Sequence, residues 1–211
     1  GLVRKQNQDH FLICSLRREL VVHATSLPDP SALTDGDNRL AFLAMVADGV
    51  GGGPMGEEAS RLAVESITEY VVHCTRCYYT TDPAHEDSFT EALSEAALQS
   101  HTAIAGRAAA DPDRRGMATT LTLWIGVWPY AYLLQVGDSR CYMLRDGELT
   151  QLSHDQTMAQ ELVDQGVMTE AQASGTRWSN VLSSSIGGKQ TAPVVTRMDQ
   201  RWGTVGLLCS A

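Results

Sequence analysis

Residues 118–152, ATTLTLWIGVWPYAYLLQVGDSRCYMLRDGELTQL, decide the fold. Three apolar runs, Ala118 to Val127, Tyr130 to Val136 and Cys141 to Arg145, follow one another with no helical stretch between them. The third turns through Asp146-Gly147, a dipeptide that accepts the positive φ of a tight hairpin, into Glu148 to Leu152. The stretch Gly116 to Gly137 carries no charge and is long enough to raise the question of a membrane span. Thr119, Thr120, Thr122 and Gln135 interrupt it, and Trp128-Pro129 would break a helix at its middle. Two strands joined by a turn are therefore expected, with no membrane span. Consecutive strands in place of strict βαβ alternation predict an α+β domain on antiparallel sheet.

Working outward, Phe11 to Leu16 and Leu40 to Ala47 are apolar runs that suit buried strands, and SLPDPSALTDGDN (26–38) between them reads as a loop. After GVGGGPMG (49–56) the period changes to 3.6, with Ala59, Leu62, Ala63, Ile67, Tyr70 and Val71 on one face. A second helical pattern runs from about Ser88 through Phe89, Leu93, Ala96, Ala97 and Ile104, and stops before ADPDRRG (110–116). On the far side of the strands, Thr157 and Gln160 have capping-box spacing and open a helix that ends at Gly166. A shorter helix starts at Thr169, and Ala173 to Arg201 reads as a loop-rich insertion.

Composition narrows the function. The 211 residues are 43% hydrophobic and 19% charged, which is globular and too apolar for a disordered tail. A net charge of -9 leaves no basic face for a phosphate backbone, which excludes nucleic acid as a partner. The odd count of five cysteines, at irregular positions, is no disulfide framework, so a reducing, cytoplasmic setting is expected. His73-Cys74 with Cys77 resembles half of a zinc site, but no second pair lies at finger spacing. The glycines at 51–53 lack the GK[ST] ending of a phosphate-binding loop. His101 and His154 have no nucleophile that spacing can assign to them.

The chemistry is expected at strand ends. Asp48 closes the run LAFLAMVA (40–47) and is followed at once by Gly49, an arrangement that presents a carboxylate and an open backbone carbonyl to a hard cation. Asp138 follows YLLQVG (132–137) in the same way, and Asp9 directly precedes the strand at Phe11. Three such carboxylates can converge on one edge of the sheets. Arg4, five residues before Asp9, carries the fork of donors that matches a tetrahedral anion.

Taken in order, RKQNQD (4–9), VADGVGG (46–52), GEEAS (56–60), GMATTL (116–121), VGDSRCYMLRDGEL (136–149), SHDQTMAQELVDQG (153–166) and NVLSSSIGG (180–188) resemble the motifs of the bacterial metal-dependent type 2C serine/threonine protein phosphatases. The resemblance implies a single catalytic domain over 1–211, a four-layer α-β-β-α sandwich of two antiparallel sheets flanked by helices. It also implies two Mn2+ or Mg2+ ions with a possible third, and in-line attack of a metal-activated water on phosphoserine or phosphothreonine. By motif, Asp48 bridges the metals, Gly49 offers its carbonyl, Asp9 acts through metal-bound water, Arg4 grips the phosphate and Asp138 belongs to the third, weaker metal site. The implied partners are phosphorylated proteins, targets of a serine/threonine kinase, met by a monomer.

Four positions depart from the family pattern: Gln8 where many members have Glu, Val50 where eukaryotic members have His, Gln156 where the DH[ST] motif often has His, and Ala211 where LLCSDG has a ligating Asp. Together with the start at Gly1, the last departure gives the expectation of a domain cut at both ends and lacking its C-terminal strands. The alternative reading is a catalytically impaired pseudophosphatase or phosphoprotein-binding scaffold.

Overall fold

The computed structural model describes residues 7–17, 39–50, 54–73 and 86–210. Strands β1 (Asp9–Arg17) and β2 (Arg39–Val50) pair antiparallel, and helices α1 (Pro54–His73) and α2 (Glu86–Ala110) follow in succession. Then come β3 (Ala118–Thr119), β4 (Leu121–Val127), β5 (Tyr130–Val136), β6 (Arg140–Arg145) and β7 (Glu148–Gln151). The short helices α3 (Met158–Asp164) and α4 (Glu170–Ala173) precede β8 (Val194–Asp199) and β9 (Val205–Cys209). One sheet has the order β1-β2-β4-β5-β8 with β3 also on β2, the other β7-β6-β9, and every pairing is antiparallel. The class is α+β on antiparallel sheet, as the run 118–152 predicts, and the two sheets are flanked by helices, as the resemblance implies.

Strand alternation builds the core. Leu43, Met45 and Ala47 of β2, Leu121, Leu123 and Ile125 of β4, and Tyr132, Leu134 and Val136 of β5 belong to one buried cluster. Ala59, Ala63, Ile67 and Val71 from α1 and Phe89, Leu93, Ala96, Ala97 and Ile104 from α2 complete it, which is the face the 3.6 period marks. Phe89 and Tyr132 lock helix to sheet, with ring centroids 4.3 Å apart and planes tilted by 56°. The opposite face of the large sheet looks toward the small one across a cleft of about 650 Å³, lined by Phe42, Trp124, Trp128, Trp202 and Leu208 among others. None of the candidate site residues among the described ones lines it.

Three sequence readings change. The strand expected to be buried at 11–16 is half exposed: Phe11 and Ile13 are 76% and 63% exposed, whereas Leu12, Cys14 and Leu16 pack against the core. One face of β1 packs on the core cluster and the other, carrying Phe11 and Ile13, is left open. The segment 173–201 is not all loop, because Val194–Asp199 forms β8 and pairs along β5 from Tyr130↔Asp199 to Gln135↔Val194. At the start of α3, Thr157 accepts from the Gln160 N–H, but the Gln160 amide reaches forward to Asp164. The reciprocal capping box forms one helix later, between Thr169 and Gln172.

The uncharged stretch 116–137 contains β4 and β5, which pair from Leu121↔Val136 to Val127↔Tyr130. No helix among the described residues is long and apolar enough to cross a membrane. The unequal cover of the two faces predicts that Leu123→Ala lowers unfolding stability by about 3 kcal/mol and Phe11→Ala by less than about 1 kcal/mol, read from urea denaturation midpoints.

Candidate functional site

The β1–β2 register places Asp9 directly opposite Asp48. Residues opposite each other in an antiparallel pair share a face, so the two carboxylates stand side by side. Asp9 is the first residue of its strand, and Asp48 lies inside β2 with two further residues after it, a small shift from the strand-end positions expected. The Ser210 hydroxyl, just past β9, donates to Asp9 Oδ2 at 3.1 Å, which ties the small sheet to this corner.

The Asp48 backbone is fully engaged. Its N–H donates to Thr120 Oγ1 at 3.0 Å, and its carbonyl accepts from the Thr120 N–H and the Thr119 hydroxyl, each at 2.9 Å. Thr120 Oγ1 also lies 2.7 Å from Ser139 Oγ, and the Thr122 hydroxyl donates to the Ser139 carbonyl at 2.8 Å. Threonines 119, 120 and 122 are buried polar side chains within an otherwise apolar run, and this is what they are for. Their chain of hydroxyls connects Asp48 to the turn that carries Asp138.

Gly49 is required by close packing. Its N–H donates to the Gln8 carbonyl at 3.3 Å, and a Cβ there would overlap the Gly56 backbone in the first turn of α1. The Ser60 hydroxyl donates to the same Gln8 carbonyl at 2.5 Å and faces His10 Nδ1 at 2.9 Å. Strand, helix start and the segment before β1 are thereby held around one backbone carbonyl.

Asp138 sits in the β5–β6 turn after Gly137, whose φ is +103° and whose added Cβ would meet Thr120 Cγ2 at 2.7 Å. Burial pushes the Asp138 carboxyl above its ordinary range, and the nearby Asp155 adds to this while its own backbone hydrogen bond and Arg140 oppose it. Arg140 grips Asp155 through Nε and Nη2, the latter at 2.6 Å, so the GDSR and SHDQT segments are joined by a bidentate pair. The turn that carries Asp138 is therefore linked to the Asp48 backbone through Thr120 and Ser139. Arg4 lies outside the described residues.

The donors at the centre are two carboxylates, with the Gly49 backbone beside them. Such oxygen donors suit Mg2+ and Mn2+, and opposed carboxylates favour a cation between them. Among the described residues no three His, Cys, Asp or Glu side chains lie close enough to hold one ion. The pair would therefore share its ion with backbone carbonyls and water, as Mg2+ sites commonly do. The residues fit the implied cations.

A family model described as protein phosphatase 2C matches residues 25–188. The chain belongs to the protein phosphatase 2C family. It is 34% identical over 170 residues to the serine/threonine protein phosphatase PstP of Mycobacterium tuberculosis, an alignment covering 81% of this chain and 31% of that protein. The chain thus spans about a third of that relative's length. It is also 31% identical over 159 residues to a putative protein phosphatase 2C-type of Streptococcus pyogenes, covering 75% of this chain and 61% of the relative. Among solved structures, Mycobacterium tuberculosis PstP/Ppp superposes with a TM-score of 0.67 at 31% identity, covering 96% of this chain and 78% of that one. The PstP catalytic domain in complex with two manganese ions gives 0.63 at 29% identity, covering 96% of this chain and 77% of that one.

The other sequence candidates are structural ties within this fold. His101 Nδ1 accepts from the Gly187 N–H at 3.0 Å, and His154 pairs with Asp164 at 2.8 Å. His73 ends α1, its Nδ1 2.7 Å from the Glu69 carbonyl oxygen, and Cys74 and Cys77 lie outside the described residues. Missing from the sequence reading was the supporting role of Thr119, Thr120, Ser139, Gln135 and Gln156. The signal for the threonines was present, since hydroxyls in the middle of a buried strand need partners. Replacing Thr120 by the isosteric Val leaves the Asp48 N–H without its acceptor and should cost about 1–3 kcal/mol, measured by urea unfolding against the wild-type chain.

Proposed function

We propose that the chain is a metal-dependent phosphatase acting on phosphoserine and phosphothreonine in proteins, with a dinuclear Mn2+ or Mg2+ centre built on Asp9 and Asp48. The observation that carries this is the direct opposition of Asp9 and Asp48 across β1 and β2 in a chain of the protein phosphatase 2C family. Its relatives among the serine/threonine phosphatases of several bacteria and the manganese-bound PstP structure support the substrate class and the metal.

When bound, the cations lower the pKa of a water and neutralise the phosphoryl oxygens. The rest is the work of this chain. Asp48 and Asp9 would hold the cations with their carboxylates, and Gly49 would add a backbone carbonyl that only a residue without a side chain can offer so close to Gly56. Thr119 and Thr120 keep the Asp48 peptide from rotating, so its carboxylate is presented to the cation site in one orientation. Arg4 takes the phosphoryl oxygens in its guanidinium fork, and Asp138 contributes to a third, weaker site. Val50 cannot donate a proton, so the leaving serine or threonine oxygen takes its proton from water or from another residue. A net charge of -9 repels phosphopeptides at long range, which confines recognition to the metals and Arg4. The substrates fitting this site are the targets of a serine/threonine kinase.

The test is hydrolysis of an aryl phosphate and a phosphothreonine peptide, with and without Mn2+ and with a chelator control. Turnover should require the metal and fall at least about 100-fold in Asp48→Asn. A folded wild-type chain with no turnover would favour the binding-only reading instead. Metal binding has a second signature. Mn2+ at about 100 times its Kd should add about 2.7 kcal/mol to the unfolding free energy of the wild type and markedly less to that of Asp48→Asn, read from melts with and without metal.

A further inference from the structure

The turn before Asp138 is gripped by two side-chain amides. Gln135, buried on β5, donates through Nε2 to the Gly137 carbonyl at 3.0 Å and to the His154 carbonyl at 2.8 Å, and its Oε1 accepts from the His154 N–H at 3.0 Å. Gln156 approaches from the opposite strand connection. Its Oε1 accepts from the Gly137 N–H at 2.7 Å, and its own N–H donates to the Gly137 carbonyl at 3.1 Å. The Gln156 Nε2 then donates to the Ala192 carbonyl at 2.9 Å, and its carbonyl accepts from Ser183 at 3.0 Å.

Both polar groups of the Gly137 peptide are thus bound, the carbonyl twice. Gly137 is the residue with positive φ, and no side chain fits there beside Thr120. A glycine in that conformation is held only by its hydrogen bonds, since it has no rotamer or Cβ contact to restrain it. Each amide here uses its oxygen for an N–H and its nitrogen for carbonyls, a division that neither a carboxylate nor an ammonium can make. A histidine at position 156 would offer one donor and one acceptor only while neutral, whereas Gln offers both at any pH.

We infer that Gln135 and Gln156 are positioning residues for Asp138, two amides that fix the Gly137 backbone from both sides and so set the direction in which the next residue, Asp138, presents its carboxylate. The inference rests on the proposed role of Asp138 as a cation ligand. Gln156 also ties this turn to residues 183 and 192.

Calorimetric titration of the folded chain with Mn2+, without substrate, tests it. Asp138→Asn should weaken the weaker Mn2+ step about tenfold or more, and Gln156→Met and Gln135→Met should each weaken it about tenfold. Gln156→Met combined with Asp138→Asn should lose no more than Asp138→Asn alone, because both act through one carboxylate. At pH 8, where imidazole is neutral, Gln156→His should restore the step to within about threefold of wild type. If Gln156→Met does not fold, Gln156→Asn, whose shorter amide cannot span Gly137 and Ala192, replaces it in the comparison. Wild-type Mn2+ affinity in the glutamine variants, with Asp138→Asn weakened, overturns the inference and leaves the role of Asp138 standing. Wild-type affinity in Asp138→Asn itself overturns both.

Discussion

Two carboxylates facing each other across a pair of hydrogen-bonded strands set the terms for the rest of this structure. The register of β1 on β2 puts Asp9 against Asp48. A slip of one residue would send one strand's side chains to the other face and, with them, one of the carboxylates. Register is secured from the core side, where Leu12, Cys14 and Leu16 pack against the buried cluster. It is secured at the site by Gln8, whose carbonyl receives both the Gly49 N–H and the Ser60 hydroxyl. Helix α1 therefore does two jobs, filling the core with Ala59, Ala63, Ile67 and Val71 and bracing the strand end with Gly56 and Ser60.

A second layer of hydrogen bonds transmits that placement to the β5–β6 turn. It runs from the Asp48 peptide through Thr120 to Ser139, and the neighbouring Arg140 fastens the turn to Asp155. The parts come from motifs far apart in sequence. What joins them is short-range and polar, carried by hydroxyls, amides and one guanidinium in a region that also borders the apolar core.

Much of this was legible in the residues. The uninterrupted strands of 118–152 declared an antiparallel sheet, and the 3.6 period found the faces of α1 and α2 that the core uses. Asp9, Asp48 and Asp138 could be picked out because each adjoins an apolar run, where a lone carboxylate is unusual. β8 was hidden, since Val194, Thr196 and Arg197 are exposed and no clean alternation marks a strand whose pairing is supplied by β5. The true capping box at Thr169 and the one-sided cap at Thr157 share the same spacing, and only the direction of a glutamine side chain separates them. Gln135 and Gln156 gave no sign of their role, because an amide matters by what it touches and spacing does not encode that.

The opposition of Asp9 and Asp48 also divides what is good for folding from what is good for function. Like charges directly across a strand pair oppose folding by something like ~0.2–1 kcal/mol, and neither side chain is needed to satisfy the Asp48 backbone, which Thr119 and Thr120 already serve. Neutralising either carboxylate would remove that repulsion and, on the proposed reading, a ligand of the cations. On that reading, selection for a stable chain in the absence of metal would drift toward inert variants, and a library sorted by expression alone would enrich the loss of the residues proposed to hold the cations.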